Sequence, residues 1–315
     1  MHRELRAQDA AWAVAGARGI RPLSTGGIAA TMNGLARPVR ASKGIAVNWI
    51  LGLTVALGLL LLLGWGGLQV RPEPFPEERA PTVETRYVPL PGDLPVPVER
   101  FYRFLYGDRV PVVETVLLTG RASLRVAGVT LPARWRFVHD VGNAYRHEIV
   151  TSWFGLPLLR VDERYVDGVG RMELPFGVEE GPTVNQGANL ALWAEAMWFP
   201  AALITDPRAR WEPVNDATAL LRVPFGAVTE TFVARFDPAS GQLVLLEAMR
   251  YKGADATDKT LWLSRAGAWG EVDGQPTATV ALVQWLDEAR PWADFRVERI
   301  VLNVADAGAR VRADR

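Results

Sequence analysis

The chain has 315 residues, 49% of them hydrophobic, and its 35 basic and 35 acidic groups give a formal net charge of zero. Residues 1–44 carry a net charge of +5 and the remainder −5. An acidic main domain argues against nucleic-acid binding, which needs a concentrated positive surface. The sequence has no cysteine, which excludes disulfides, thiolate metal sites and cysteine nucleophiles.

The N-terminal segment, residues 1–44, is interpreted as a basic tail. Its first 31 residues show no sustained hydrophobic period, and Met32 opens a stretch that is typical of the basic region before a signal anchor. We therefore hypothesise that translation starts at Met32 and that residues 1–31 are a mis-called start.

An apolar helix is predicted over residues 45–68. No charged residue occurs from Gly44 to Val70, and a bilayer core of about 30 Å needs about 20 helical residues. Trp49 and Trp65 lie near the two ends, where indoles favour the headgroup region. The alternatives are a buried core helix, which seldom stays apolar for this length, and a cleaved signal peptide, whose apolar region is shorter.

The flanking charges predict the orientation of this helix. Arg37, Arg40 and Lys43 precede it closely, whereas acidic residues dominate after Arg71. The basic side of a membrane helix stays in the cytoplasm. We therefore expect a single-pass protein of the cytoplasmic (inner) membrane, with its C-terminal domain periplasmic or extracellular.

A proline-rich segment, residues 69–96, follows the apolar helix. Eight prolines between residues 71 and 97 predict an extended, semi-rigid linker rather than a packed element. A short helix is expected next, because Val98, Phe101, Tyr102 and Leu105 share one helical face and Gly107 suits its C-cap.

From residue 118 the hydrophobic period changes to two. A hairpin is predicted with Trp135 on its buried face, followed by strands that turn residues such as Asp167-Gly168 separate. The expected strands are 118–126, 131–137, 144–152, 157–166, 169–175, 218–224, 227–236, 242–252, 259–265, 277–286 and 294–304. The fold class is therefore mainly β (α+β), with one large curved antiparallel sheet or half-barrel of about eleven strands. This sheet would form an extracytoplasmic domain, residues 97–304, which a tail, residues 305–315, follows.

One helix interrupts the strands at Asn189–Phe199. Leu190, Trp193, Met197 and Trp198 recur at helical spacing, and Pro200 marks the end. Its aromatic face could line an apolar ligand cavity, or it could close the open side of the sheet as core.

The order of several motifs resembles a known family. Tyr165–Met172, Trp193–Leu203, Arg210–Asp216, Ala234–Gly241 and Met249–Tyr251 follow one another as in a family of uncharacterised bacterial membrane-anchored proteins, a domain of unknown function. The resemblance covers roughly residues 96–304. It implies an architecture similar in outline to the curved-sheet carriers of lipids or lipoprotein tails, without a defined chemistry.

Catalytic and metal motifs are weak in this sequence. His139 and His147 flank a hairpin turn near Asp140, but no exposed nucleophile motif accompanies them. Their spacing matches no helix-borne zinc motif. We therefore expect no metal, no cofactor and no enzymatic activity, with a hydrolase centred on the histidines as the remote alternative.

Glu163 is the most unusual polar position. It shares a strand face with Leu159, Val161 and Tyr165, so an inward face would bury a carboxylate that must be paired or protonated. It would serve as a polar anchor in a ligand cavity or as half of a structural ion pair. Glu195, on the interrupting helix, could shape a cleft with Trp198, Trp211 and Glu212, or it could bond a strand backbone or an arginine.

These patterns favour a membrane-anchored binding domain for an apolar or lipid-like ligand. Its partners would be the bilayer, through residues 45–68, and that ligand; a structural or protein-interaction module is the alternative, with its partner undefined. The candidate ligand-binding residues are Glu163, Tyr165, Trp193, Glu195, Met197, Trp198, Trp135 and Arg250.

Overall fold

The computed structural model describes residues 43–77 and 81–313, and only the backbone of residues 43–48. The predicted start at Met32 lies outside the described residues. The described chain divides into two units between Gly66 and Gly67. The helices are α1 (Lys43–Gln69), α2 (Val96–Tyr106), α3 (Pro182–Ala194), a 3₁₀ helix (Glu195–Trp198), α4 (Ala202–Thr205) and α5 (Ala307–Arg312). Within the described residues, Trp49–Gln69 is the one helical segment long and apolar enough to cross a membrane.

Fifteen strands follow in the second unit: β1 (Tyr87–Pro89), β2 (Arg109–Pro111), β3 (Thr115–Val126), β4 (Val129–Asp140), β5 (Ala144–Trp153), β6 (Leu156–Val166), β7 (Val169–Leu174), β8 (Gly177–Glu180), β9 (Arg210–Asn215), β10 (Thr218–Phe225), β11 (Val228–Phe236), β12 (Leu243–Tyr251), β13 (Lys259–Val272), β14 (Gln275–Trp285) and β15 (Ala293–Leu302).

The predicted fold class is confirmed: thirteen strands form one curved antiparallel sheet. Their order is β8-β7-β6-β5-β4-β3-β15-β14-β13-β12-β11-β10-β9. Two up-and-down runs, β3–β8 and β9–β15, are thus joined where β3 pairs with β15. The two strands beyond the expected eleven, β8 and β9, are the edge strands, whose largely exposed residues show little apolar alternation.

Helices α2, α3, the 3₁₀ helix and α4 cover the inner face of this sheet. Phe101 and Tyr102 of α2 are buried, and α2 ends at Gly107 as predicted, with a positive φ of 65°. The predicted helix at Asn189–Phe199 is in part wrong: α3 begins seven residues earlier at Pro182 and tightens into the 3₁₀ helix from Glu195. The aromatic side chains of these helices meet the strands in one continuous core.

Parts of the proline-rich segment pack against the domain instead of forming an unpacked linker. Phe75 lies beneath the guanidinium groups of Arg134 and Arg136, at 4.7 and 4.9 Å from its ring centroid, on the outer face of the sheet. Thr82 bridges to Val304, and β1 pairs with β2. The predicted C-terminal tail also packs, because α5 buries Ala307 and Val311 against the outer face.

Candidate functional site

Strands β4, β5 and β6 bring four polar side chains together on the inner face of the sheet. The register pairs His139 with Tyr145 and His147 with Glu163, so alternation points all four side chains inward. Glu195, the first residue of the 3₁₀ helix, meets them from above. We call His139, Tyr145, His147, Glu163 and Glu195 the polar cluster.

Short distances connect this cluster. The Oε2 atom of Glu195 lies 2.8 Å from Nε2 of His147 and 3.3 Å from Nε2 of His139. Nδ1 of His147 lies 3.6 Å from Oε2 of Glu163, whose Oε1 accepts a 2.6 Å hydrogen bond from the Tyr145 hydroxyl. His147 therefore stands between two carboxylates, and Glu195 stands between two imidazoles.

Stacked rings hold the imidazoles in place. The ring of His147 is sandwiched between Phe137 and Tyr145, with centroids 3.7 and 3.9 Å away. The ring of His139 lies 5.0 Å from that of Phe199. Both histidines are at least 97% buried, so neither ring can rotate freely toward solvent.

The cluster contains buried polar atoms without hydrogen-bond partners. They include both ring nitrogens of His139, Nε2 of His147 and Oε2 of Glu195, because the short contacts to Glu195 are not aligned as hydrogen bonds. Buried polar groups are nearly always satisfied, so unpaired atoms concentrated in one place require an explanation.

Burial and charge displace the pKa values of these groups in different directions. Burial disfavours the cation at His147, but the carboxylates of Glu195 and Glu163 outweigh it and raise its pKa to about 9. Burial and the neighbouring His147 hold the pKa of His139 well below its usual value. Burial raises the pKa of Glu195 above its usual value. Burial also acts to raise the pKa of Glu163, but hydrogen bonds and charge from His147 and Tyr145 outweigh it, so the pKa of Glu163 lies below its usual value. In the metal-free protein His147 is thus the cation that two carboxylates share.

Arg250, on β12, places a second cation near the cluster, partly buried and with its Nε atom inaccessible to solvent. Its guanidinium lies 4.5 Å from the ring of Trp262 and 5.8 Å from that of Trp285, and its Nε atom has no hydrogen-bond partner. Burial lowers the pKa of Arg250, and the charges of Glu163 and Glu195 oppose this effect. Arg250 is therefore a poorly solvated cation held mainly by aromatic rings.

The predicted site residues separate into two groups. Glu163 and Glu195 lie in the polar cluster, and Tyr165 adjoins it through a 3.1 Å hydrogen bond from its hydroxyl to Asn189. Trp135, Met197 and Trp198 lie behind it in the aromatic core, with the two indoles stacked 5.3 Å apart. The fourth apolar candidate, Trp193, lies near Arg208, whose guanidinium is 5.7 Å from its ring.

Asp140, which lies near both histidines in the sequence, does not join them in the structure. Asp140 follows His139 directly and therefore faces the other side of the sheet, where it accepts hydrogen bonds from Arg312 and Asn143. Tyr145 was missed as a partner, although its position two residues before His147 places it on the same strand face.

Two hollows lie on the outer face of the sheet rather than beneath the helices. One, of about 190 Å³, is bounded by Phe75 and strands β3, β4 and β15. The other, of about 400 Å³, is lined by charged residues of β4, β5 and α5, including Arg136, Arg146 and Glu148. Neither is the apolar cavity on the inner face that a ligand carrier would be expected to contain.

The sequence matches a family model over residues 86–296, described as a family of unknown function, DUF6544. The chain belongs to this family. The predicted resemblance to an uncharacterised family is thereby confirmed. No curated protein matches the sequence.

Solved structures share the outline of the DUF6544 domain. A domain described as an outer membrane lipoprotein-sorting protein from Vibrio parahaemolyticus has 12% identity and a TM-score of 0.36, covering 62% of this chain and 90% of its own. A LolA superfamily protein from Nitrosomonas europaea has 10% identity and a TM-score of 0.36, covering 60% and 84%. A DUF1329 family protein from Desulfovibrio piger has 12% identity and a TM-score of 0.32, covering 62% and 89%. Likenesses of this size describe an outline and carry no argument about ligand or activity.

Proposed function

We propose that this DUF6544 protein is a single-pass protein of the cytoplasmic membrane whose extracytoplasmic domain binds a lipid-like ligand at the membrane surface. The observation that carries the proposal is an exposed apolar turn, Phe154-Gly155 between β5 and β6, in contact with Gly67. Gly67 lies in the last turn of the apolar segment Trp49–Gln69. The basic residues before this segment support an N-terminus in the cytoplasm.

The contact at Gly67 is specific. The backbone N–H of Phe154 donates a 2.8 Å hydrogen bond to the Gly67 carbonyl. A Cβ atom at position 67 would lie 2.2 Å from Nε1 of Trp153, so any larger residue would displace the Trp153 and Phe154 side chains. The turn is therefore held against Gly67, at the C-terminal end of the apolar segment.

The turn sequence is unusual for its conformation. Phe154 and Gly155 have φ values of 52° and 75°, the positive pair that a two-residue type I′ hairpin requires. Asn or Asp usually fills the first position, and Asp167 and Asp273 do so in two other turns of this sheet. A bulky side chain in this region is strained, and 38% of Phe154 is exposed. Its presence is explained better by contact with an apolar surface than by folding.

The two ends of the sheet differ in polarity. The end that holds Phe154 also has the described two-residue turns Ala127-Gly128, Pro175-Phe176 and Gly226-Ala227, none of them charged. At the opposite end, three turns begin with aspartate: Asp167-Gly168, Asp216-Ala217 and Asp273-Gly274. Two longer loops at the first end carry charges, including the Lys252–Asp287 pair. Apolar turns among scattered charges suit the interface of a bilayer.

The polar cluster and Arg250 are the proposed head-group site. Arg250 supplies a partly buried cation without a hydrogen-bond partner at its Nε atom, which an anionic head group would satisfy. Glu163, Glu195 and Tyr165 would orient the polar part of the ligand, and Trp193 would border it. Trp135, Met197 and Trp198 would form the apolar wall behind it. Entry of a ligand then requires the 3₁₀ helix to move away from the sheet.

A substitution at the turn tests docking to the membrane. We expect Phe154→Asn in residues 67–315 to bind anionic vesicles roughly tenfold more weakly in flotation assays, because a buried Phe side chain contributes about 1.5–3 kcal/mol. Its free energy of unfolding should stay within about 1 kcal/mol of the wild type, since relief of the strained φ offsets the lost contact with Trp153.

Val169→Asn is the matched control. Val169 is an exposed apolar residue beside the Asp167-Gly168 turn, at the opposite end of the sheet. This variant should float with vesicles as the wild type does. Equal flotation of wild type and Phe154→Asn, or equal losses in the two variants, would contradict docking through the Phe154 turn.

A second candidate is a protein-interaction module of the cell envelope. The filled inner face, where Trp135 stacks on Trp198, favours this function because no preformed apolar cavity is required. An exposed apolar turn would then contact a membrane protein rather than lipid. The lipid content of the purified domain distinguishes the two candidates.

A further inference from the structure

His139, His147 and Glu195 present three potential ligand atoms to one point inside the domain. One atom from each residue lies within 4.8 Å of the others. The Nε2–Oε2 distances of 3.3 and 2.8 Å are close to the separation of about 3.3 Å between two ligands of a tetrahedral zinc ion. Among the described residues, this is the one group of three or more His, Asp or Glu side chains with such spacing.

The lack of hydrogen-bond partners at these three atoms favours a site that binds a cation. Nε2 of His139, Nε2 of His147 and Oε2 of Glu195 are all buried and all lack a hydrogen-bond partner. A shared proton could satisfy one His–Glu contact at a time. A divalent cation would satisfy all three atoms together, because imidazole nitrogen and carboxylate oxygen are both good ligands for zinc.

The surroundings resemble the outer shell of a metal site. Nδ1 of His147 faces the Glu163 carboxylate at 3.6 Å, and Tyr145 donates to that carboxylate. Histidine ligands of zinc commonly contact a carboxylate through their other nitrogen, which fixes the tautomer and the ring orientation. Phe137 and Tyr145 hold the His147 ring from both sides.

We propose that His139, His147 and Glu195 bind one divalent transition-metal ion of the zinc class. Three protein ligands leave one coordination position for water or for a polar group of a bound molecule, as in catalytic rather than structural zinc sites. The Glu195 side chain is 15% exposed, whereas its Oε2 atom is buried. The site does not depend on lipid binding and goes beyond the proposed function.

The first experiment measures zinc in the full chain, purified in detergent without a histidine tag. The other histidine, His2, is replaced by alanine in all samples, because the chain has three histidines. After removal of metal by a chelator and dialysis against Zn²⁺, elemental analysis should give one zinc per chain. Co²⁺ should produce visible ligand-field bands, which report coordination directly.

The variants His139→Gln, His147→Gln and Glu195→Gln should each lose stoichiometric zinc. Glu163→Gln should retain the ion but bind it about 10–100-fold more weakly, as expected for an outer-shell partner. Asp140→Asn is the matched control, because Asp140 adjoins His139 in sequence but faces the other side of the sheet. This variant should bind zinc like the parent.

Two results would overturn the proposal. One is a parent chain that takes up no zinc and gives no Co²⁺ bands, a result that does not depend on the folding of any variant. The other is undiminished zinc in the three ligand variants. Circular dichroism of each metal-free variant separates loss of a ligand from loss of the fold.

Discussion

Trp135→Ala should destabilise residues 67–315 by about 3–5 kcal/mol and lower the Tm by roughly 10 °C. Trp135 is fully buried on β4 at the centre of the aromatic core. Its ring contacts those of Trp198 and Phe137, at centroid distances of 5.3 and 4.7 Å. Its Nε1–H donates to the Arg121 carbonyl, which the variant would leave without this donor. Urea unfolding followed by tryptophan fluorescence and circular dichroism measures the loss.

Leu156→Ala is the control for this prediction. Leu156 is 69% exposed in the neighbouring β5–β6 hairpin, so its truncation should change the free energy of unfolding by about 0.5 kcal/mol or less. A Trp135→Ala domain as stable as the Leu156→Ala domain would mean that the inner face is not packed as described, and that an open cavity replaces the aromatic core.

Gly120→Ala should destabilise the domain by about 3 kcal/mol or more. Gly120 lies on β3, where the two halves of the sheet join through pairing with β15. A Cβ atom at this position would lie 1.9 Å from the Arg296 carbonyl oxygen and 2.9 Å from the Trp135 ring. The Arg296 carbonyl oxygen is part of the backbone and cannot move aside as a flexible side chain can. The two strands would therefore have to separate or shift their register.

Gly177→Ala separates this steric effect from the general cost of changing a glycine. Gly177 lies on the edge strand β8, and nothing approaches its Cβ position within 4 Å. We expect the free energy of unfolding to stay within about 0.5 kcal/mol of the wild type in thermal and urea melts. Equal stabilities for Gly120→Ala and Gly177→Ala would show that β3 and β15 do not approach as closely as the structure has them.

The strands could be predicted from sequence because apolar residues of the inner face alternate with largely polar residues of the outer face. Leu118, Ala122 and Leu124 of β3 are buried, and Arg121 and Ser123 between them are not. The turn residues Asp167-Gly168 fixed where one hairpin ends, since both need positive φ. The edge strands carry no such alternation and were missed.

The start of α3 could not be predicted because its first turns bury polar side chains. Gln186 is 97% buried and donates to Glu230 and to the Met249 carbonyl, while Asn189 accepts a hydrogen bond from Tyr165. Such residues interrupt an apolar stripe in the sequence although they face the sheet. The role of Gln186 and Asn189 becomes clear only from the strands that they contact, which are distant in the chain.

Part of the polar cluster could be predicted from the sequence. Strand alternation predicted that Glu163 could face inward, and hairpin register alone places His147 opposite it. The approach of Glu195 to both histidines depends on the fold, because the 3₁₀ helix lies 48 positions beyond His147 in the chain and on another layer. No local pattern encodes that contact.

The lipid content of the domain tests the central claim most directly. Residues 67–315, the compact unit that excludes most of the apolar helix, should be secreted without detergent, analysed by native mass spectrometry and extracted with organic solvent. The proposed function predicts one lipid-like molecule per chain, reduced when Arg250 is replaced by alanine. A domain that carries no lipid, and takes none up from vesicles, would contradict lipid binding and leave the protein-interaction module as the function to pursue.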